Sequence, residues 1–128
     1  MKLKDVMEIL EAKSAWEEAD CTQCGSREVT SCQASDLISD ILSFRGPDSL
    51  LLTGLTNTQV IRAAEILDFV AICFVRGKRP QPGTVKLAEE KGIPLLATPL
   101  LMYQACGRLY EAGLPAGTRK EGVNDCLN

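Results

Sequence analysis

Residues 69–80 have the sequence FVAICFVRGKRP, and this stretch decides the fold. Its first seven residues, 69–75, are all apolar, and most of them are β-branched or aromatic. A half-exposed strand alternates apolar and polar residues, so the unbroken run predicts a strand that is buried on both faces, as in a parallel sheet covered by helices. A buried helical segment is the alternative, but the run is short and ends at Gly77 and Pro80.

Three cationic side chains follow this strand directly. Arg76, Lys78 and Arg79 emerge there together with the flexible Gly77. In open α/β sheets, ligands bind at the carboxyl ends of the strands. The segment therefore predicts an anion-binding site at the end of the central strand.

The rest of the chain alternates apolar strands with amphipathic helices. The patterns predict strands at 28–32, 49–53, 69–75 and 94–97, and helices at about 3–13, 36–44, 57–67, 81–91 and 99–112. This order predicts a three-layer α/β/α domain with a mainly parallel sheet of about four strands, spanning residues 1–114. Residues 115–128 are polar and without period, so we expect a C-terminal tail that is mobile or only weakly docked.

The carboxyl ends of parallel strands meet on one rim of a sheet, and polar residues collect there. Helix starts are predicted at the same places, with Ser35 or Asp36 as one N-cap and Thr56 with Gln59 as a capping box. Helix N-termini favour a phosphate or carboxylate. Helix capping alone can explain any one of these polar residues. Their clustering on one rim, however, favours a binding site. The predicted site residues are Ser35, Asp36, Thr53, Gly54, Thr56, Asn57, Arg76, Gly77, Lys78, Arg79 and Thr98.

Composition excludes several classes of function. The net charge of −3 and the pI near 5.0 argue against a nucleic-acid partner. The chain has no histidine, which removes the usual general base and the commonest metal ligand. No apolar run is long enough for a membrane helix or a signal peptide, so we expect a cytoplasmic protein without a membrane partner.

The six cysteines leave two interpretations open. Cys73 and Cys106 lie in apolar patterns, and free thiols are the default in a reducing cytosol. Cys21 and Cys24 form a C-x-x-C pair, and Cys32 is a candidate third ligand of a metal or iron–sulfur cluster, with Cys126 or Cys106 as the fourth. A second C-x-x-C is absent, so a purely structural role is favoured over a redox or metal role.

Catalysis is not expected from this sequence. Neither a G-x-x-x-x-G-K-[ST] loop nor a G-x-G-x-x-G motif is present, so the usual cradles for ATP hydrolysis and dinucleotide chemistry are missing. The predicted rim offers no nucleophile beside an evident base. We therefore predict no enzyme activity and no cofactor.

Several segments resemble the DRTGG-domain family, which is similar to the N-terminal domain of bacterial HPr kinase/phosphorylase. They are SDLISDIL (35–42), LLTGLTNTQVIRAAEI (51–66), FVRGKRP (74–80), AEEKGIPLLATP (88–99) and CGRLYEAGL (106–114). The resemblance covers roughly residues 1–114 and implies a three-layer α/β/α fold with a regulatory, non-catalytic role. The eponymous pentapeptide is absent, and residues 54–57 (GLTN) stand in its place.

Family members accompany CBS pairs or phosphotransacetylase modules or stand alone, some of them near iron-hydrogenase genes. The chain resembles the stand-alone members, which implies a hydrogenase-associated redox enzyme as a partner. Two hypotheses of function follow. The leading one is a regulatory module that binds a nucleotide or phosphorylated metabolite at the rim. The alternative is a redox or iron–sulfur accessory protein that uses Cys21 and Cys24.

The last predicted helix suggests a homodimer. Apolar and aromatic side chains spread over more of this helix than the stripe of ~100° that a helix needs for its own core. An apolar patch of this kind marks a protein interface unless the sheet and the tail cover it. The residues concerned are Leu100, Leu101, Tyr103, Leu109, Tyr110 and, beyond the helix, Leu114.

Overall fold

The structure, a computed structural model, describes residues 1–15 and 24–120. Its helices and strands follow one another along the chain as a continuous α/β pattern. They are α1 (Leu3–Leu10), β1 (Lys13–Ser14), a short 3-10 helix (Cys24–Ser26), β2 (Ser31–Ala34), α2 (Ile38–Ile41), β3 (Ser49–Thr53), α3 (Thr58–Leu67), β4 (Ala71–Phe74), α4 (Pro82–Lys91), β5 (Leu95–Ala97) and α5 (Met102–Glu111).

The strands form a five-stranded sheet in the order β1-β5-β4-β3-β2. Strands β2 to β5 are parallel to their neighbours, and β1 pairs antiparallel with β5, where Lys13 lies opposite Ala97. The central position of β4 confirms the interpretation of the apolar run at 69–75. The predicted α/β/α fold with a mainly parallel sheet is therefore confirmed. Strand β1 was not predicted, because a strand of two residues has no recognisable sequence pattern.

The layers follow from the handedness of the connections. Each strand from β3 to β5 lies on the same side of the preceding strand, and right-handed crossovers then put the connecting helices on one face of the sheet. Helices α2, α3 and α4 accordingly pack on one face, in a core that includes Ile41, Ile61 and Ala88. Helices α1 and α5 cover the opposite face, in a core that includes Leu10 and Leu109.

The buried strands divide their side chains between the two cores. In β4, Ala71 and Cys73 face α1 and α5, whereas Ile72 and Phe74 face α2 to α4. All four residues are fully buried. Burial of a large apolar side chain is worth about 1.5–3 kcal/mol, so a strand with two apolar faces anchors both layers at once.

Several elements begin or end elsewhere than predicted. Helix α1 ends at Leu10 and not near residue 13, because Lys13 and Ser14 pair with β5 as strand β1. Strand β2 begins at Ser31, not at residue 28, and α2 ends at Ile41. Helix α5 begins at Met102, not at residue 99. The chain before α5 stays extended because Leu100 is buried against α1 and its N–H group donates to the Thr98 hydroxyl.

The predicted caps are also wrong in detail. Asn57, not Thr56, is the N-cap residue of α3, and its side chain makes no capping bond. Leu37 is the N-cap residue of α2, although the hydroxyl of Ser35 accepts its N–H at 3.0 Å. The carboxylate of Asp36 turns away from α2, because it is bound across the sheet to the end of β3.

Residues 115–118 lie along the open edge of β2, and residues 118–120 pair with residues 43–45. The N–H of Cys32 donates to Pro115 O at 3.0 Å, and the N–H of Gly117 donates to Cys32 O at 2.9 Å. An edge strand otherwise presents unpaired backbone groups to solvent. Contacts with the sheet thus continue past the domain end predicted at residue 114, and the rest of the predicted tail, 121–128, lies outside the described residues.

Among the helices of residues 1–15 and 24–120, none has the length and apolar character that a membrane crossing requires.

Candidate ligand-binding site at the carboxyl rim

Asp36 joins the carboxyl ends of three neighbouring strands. Its Oδ1 accepts the N–H of Gly54 at 2.6 Å and the hydroxyl of Thr53 at 3.4 Å, both at the end of β3. Its Oδ2 lies 3.7 Å from Nη2 of Arg76, just beyond β4. We call Asp36, Thr53, Gly54 and Arg76 the closed half of the rim, because these polar groups contact one another.

Gly54 is required for this contact. A Cβ atom at this position would overlap the guanidinium of Arg76 and would lie 3.2 Å from Oδ1 of Asp36. The missing side chain therefore lets the guanidinium lie directly over the backbone of the β3–α3 loop. Gly54 was predicted as a site residue, and the close approach of Arg76 gives the physical reason for a glycine at this position.

A tight turn after β4 sets the direction of the cations. Arg76 and Gly77 have φ angles of 61° and 66°, and the N–H of Lys78 donates to Val75 O at 3.1 Å. The left-handed conformation is unfavourable for a residue with a Cβ atom, by about 1–2 kcal/mol. The turn persists because the N–H of Arg76 donates to Leu100 O at 2.7 Å. It directs Arg76 towards β3 and leaves Lys78 and Arg79 exposed.

The other half of the rim contains an open cavity of about 560 Å³. The β1–β5 edge of the sheet lines one side, and the segment from Gly77 to α4 lines the other. Lys13 and Arg79 lie on its wall, and neither forms an ion pair with any described residue. We call Lys13, Gly77, Arg79, Thr98 and this cavity the open half of the rim.

Sequence reasoning missed Lys13. Its place in the site depends on β1, which pairs with β5 only once the chain has folded. No local pattern marks a two-residue strand, so nothing in the sequence around residue 13 could have identified it.

Thr98 lies on the wall of the cavity, but its hydroxyl is already used. The side chain is 1% exposed, and Oγ1 donates to Leu10 O at 2.5 Å. The same oxygen accepts the N–H of Leu100 at 3.2 Å. The hydroxyl thus ties α1 to the end of β5 and is not available to a ligand without breaking these bonds.

Thr56 and Asn57 lie in the loop between the two halves. The carbonyl oxygen of Thr56 accepts the hydroxyl of Thr84 at 2.8 Å and the N–H of Gln81 at 3.4 Å, which fixes the loop to the start of α4. The Oδ1 atom of Asn57 is buried without a hydrogen-bond partner among the described residues. Ser35 is bound within its own turn and to Asp40, with its Oγ 3.4 Å from Oδ2.

The cysteine hypothesis falls partly outside the described residues. Cys21 and the side chain of Cys24 lie there, whereas Cys32 packs in the core near Cys73 and Cys106. Burial raises the pKa of the Cys32 thiol far above its ordinary value and that of Cys73 to about 12. A metal ligand must be the thiolate. No group of three or more His, Cys, Asp or Glu residues in the described ranges could hold a metal ion.

Comparison with protein-family models and with curated proteins gives no match. Among the solved structures with a similar fold is the crystal structure of the CBS and DRTGG domains of the regulatory region of Clostridium perfringens pyrophosphatase, complexed with the activator diadenosine tetraphosphate. The TM-score is 0.64 at 13% sequence identity, over 98% of this chain and 56% of that chain. The likeness supports the predicted DRTGG-like fold, and at this identity it concerns the fold alone.

Proposed function

We propose that this chain is a non-catalytic regulatory module that binds a small anionic ligand, a nucleotide or a phosphorylated metabolite, at the carboxyl ends of its strands. One observation carries the proposal: the open half of the rim combines a cavity of about 560 Å³ with two cations, Lys13 and Arg79, that have no ion pair in the described structure. Small-molecule sites usually have volumes of about 300–1,000 Å³.

The charge distribution supports an anion. The whole chain has a net charge of −3, yet Lys13, Lys78 and Arg79 are exposed at one end of the sheet. A local concentration of positive charge on an acidic protein attracts small anions to that place while the remaining surface repels them. The nearby acid Glu11 is paired with a cation, because its Oε2 lies 2.9 Å from Nη1 of Arg108.

The structural neighbour supports a regulatory role. That protein is the regulatory region of a pyrophosphatase, and its ligand, diadenosine tetraphosphate, is an activator. Both the nucleotide character of that ligand and the regulatory character of that region agree with the proposal. The likeness supports a regulatory function, whereas the cavity and the cations of the rim support the place of binding.

The experiment is thermal unfolding against a panel of pyrophosphate, sugar phosphates and nucleotides. A ligand at about 100 times its dissociation constant stabilises the folded state by about 2.7 kcal/mol. We expect such a shift with at least one compound, and we expect the triple variant Arg76→Ala/Lys78→Ala/Arg79→Ala to abolish it. The matched control is Lys86→Ala, an exposed cation on α4 that does not line the cavity. Absence of a shift with every phosphate compound, or a shift that the triple variant retains, contradicts the proposal.

For assembly, we propose a homodimer through the exposed face of α5. The structure separates the apolar residues of the last helix into two groups. Leu100 and Leu109 are core residues, whereas Leu101, Tyr103 and Tyr110 are 56%, 89% and 74% exposed. Exposed aromatic side chains are enriched in protein interfaces, and two-fold dimers are the commonest assembly.

Light scattering over a range of micromolar concentrations tests the dimer. We expect a dimer that Tyr110→Ala weakens and that Ile66→Ala leaves unchanged, since Ile66 is equally exposed (74%) but lies on α3, on the opposite face of the sheet. A chain that stays monomeric at all concentrations rules the dimer out.

A further inference from the structure

We infer that the ligand of the open half is a nucleoside phosphate, with its base against the apolar wall of the cavity and its phosphate at Arg79 and Lys13. The inference rests on the proposed function and narrows it to one chemical class. It also assigns the ligand to one half of the rim. Four features of the cavity carry it: the wall, the few free hydrogen-bonding groups, the two cations and the occupied state of Arg76.

The wall of the cavity is mostly apolar. Six of its twelve lining residues have apolar side chains, and three of these six are prolines, whose rings fix the local backbone. A rigid apolar wall suits a flat, weakly polar ring system, because the faces of such a ring carry no hydrogen-bonding groups that would need a partner. The six residues are Ala15, Pro80, Pro82, Val85, Ala97 and Pro99.

A sugar phosphate fits this wall poorly. Every sugar hydroxyl that enters an apolar site loses its bonds to water and needs a new partner. Two residues with hydroxyl side chains line the cavity, Ser14 and Thr98. The hydroxyl of Thr98 is already bonded to Leu10 O and to the N–H of Leu100, and Ser14 also makes an interaction within the protein. The cavity therefore favours the base of a nucleotide over a bare sugar ring.

The two cations complete the match with a nucleotide. Lys13 comes from β1 and Arg79 from the loop between β4 and α4, so they reach the same cavity from two elements. A guanidinium presents paired N–H donors that match the oxygens of a phosphate. Glu11, the acid on the same wall, is held by Arg108 and repels the phosphate less than a free carboxylate would.

The closed half directs the phosphate to Arg79. Arg76 is bound to Asp36, whose carboxylate would repel a second anion at the same place. Arg79 has no such acid in the described part of the chain. The two arginines, which have the same charge and lie three positions apart, are therefore expected to differ in their effect on binding.

The test is isothermal titration with AMP, GMP, CMP and UMP, their nucleosides, and ribose 5-phosphate at one ionic strength. At least one nucleotide should bind ten times more tightly than its own nucleoside and than ribose 5-phosphate. Arg79→Ala should lower the affinity for that nucleotide at least tenfold and leave nucleoside binding unchanged. Arg76→Ala and the control Lys86→Ala should each change the affinity for that nucleotide less than threefold.

A second variant locates the base. Ala97→Phe fills the cavity from β5 and should abolish binding of the nucleotide and of its nucleoside. If the phenylalanine variant does not fold, the smaller change Ala97→Leu replaces it and should weaken binding of both compounds. Ala34→Phe is the matched control, since Ala34 is an exposed residue of β2 at the other edge of the sheet. Circular dichroism verifies that each variant is folded.

The outcomes separate the inference from the function on which it rests. Ribose 5-phosphate binding as tightly as every nucleotide overturns the inference but leaves an anion-binding module. Nucleotide binding that survives both Ala97 variants, or that depends on Arg76 and not on Arg79, overturns the assigned place. Failure of every phosphate compound to bind overturns the inference and the proposed function together.

Discussion

The two halves of the carboxyl rim contain similar residue types and have different chemistry. In the closed half, Asp36 binds Arg76 and the N–H of Gly54. In the open half, Arg79 and Lys13 lie on a cavity wall and pair with no described acid. The difference is that Arg76, after β4, meets the acid that follows β2 two strands away, whereas Arg79 and Lys13 meet no acid among the described residues.

The difference arises from strand order. Strand β4 lies between β3 and β5, so its terminal loop can turn towards either one. The left-handed turn at Arg76 and Gly77 directs the first cation towards β3 and Asp36, and the rest of the loop runs towards α4 and β5. One basic loop thereby supplies Arg76, which is paired with Asp36, and Arg79, which we propose as the ligand-binding cation.

The largest effect on stability is expected from Thr98→Val. This change keeps the shape of the side chain but leaves Leu10 O and the N–H of Leu100 without their partner in a buried place. An unsatisfied buried group costs about 1–3 kcal/mol. Urea unfolding measures the loss.

Thr30→Val is the control for that change, because Thr30 is exposed and its hydroxyl donates only to Asp48 O at 3.3 Å. We expect it to alter the unfolding free energy by less than about 0.5 kcal/mol. Equal effects of the two variants would mean that the bonds of the Thr98 hydroxyl to Leu10 and Leu100 contribute little to stability. The hydroxyl would then again be a candidate for ligand binding.

A smaller loss of about 1–2 kcal/mol is expected from Gly77→Ala, because alanine is unfavourable at φ 66°. No atom lies within 4 Å of the added Cβ, so the loss reports the backbone conformation alone. Gly83→Ala, on α4 and equally open, is the control and should stabilise slightly, since alanine is the better helix former. If Gly77→Ala is neutral in urea unfolding, the turn that separates the two halves is not maintained in solution.

The Asp36–Arg76 pair should contribute less still. Both side chains are 44% exposed, so solvent screens the pair, and exposed ion pairs contribute about 0.2–1 kcal/mol. A double-mutant cycle with Asp36→Ala and Arg76→Ala measures the coupling at two salt concentrations. We expect coupling that falls at the higher salt concentration. A coupling energy of zero at low salt would mean that Asp36 and Arg76 do not form an ion pair in solution.

The smallest change is expected from Arg79→Ala without ligand. Its side chain is exposed and forms no ion pair with a described residue, so the unfolding free energy should change by less than about 0.5 kcal/mol. The same measurement on Arg76→Ala gives the matched value for the closed half. A large loss from Arg79→Ala would show that this cation has a structural role, and the two halves would then not differ in the proposed way.

Local patterns in the sequence were sufficient for the main elements. The apolar run at 69–75 predicted the buried central strand, and residues 49–53 match β3 at both ends. Helix α4 was recognisable because Pro82 suits a first turn and Gly92, at φ 70°, suits a helix end. Such features depend on residues close together in the chain, which is why they can be recognised without the fold.

The residue types at the rim and their place at the strand ends were predictable, but their division into two halves was not. The strands that end at Ala34, Thr53 and Phe74 are parallel, so their carboxyl ends lie on one rim. The polar residues that follow them could therefore be selected from the sequence. Whether Asp36 meets Arg76 depends on which strands are neighbours and on one left-handed turn, and neither has a local signature.

Contacts between distant parts of the chain were decided only by the tertiary structure. The bond from Thr98 to Leu10 joins residues 88 positions apart, and Lys13 reaches the cavity only because β1 pairs with β5. The sequence alone indicated the buried strands, the end of α4 at Gly92 and the charge at the rim, because burial and a glycine at a helix end leave periodic and local traces. The tertiary structure alone decided which of those charges are neutralised, because that depends on distances between elements that the chain order does not specify.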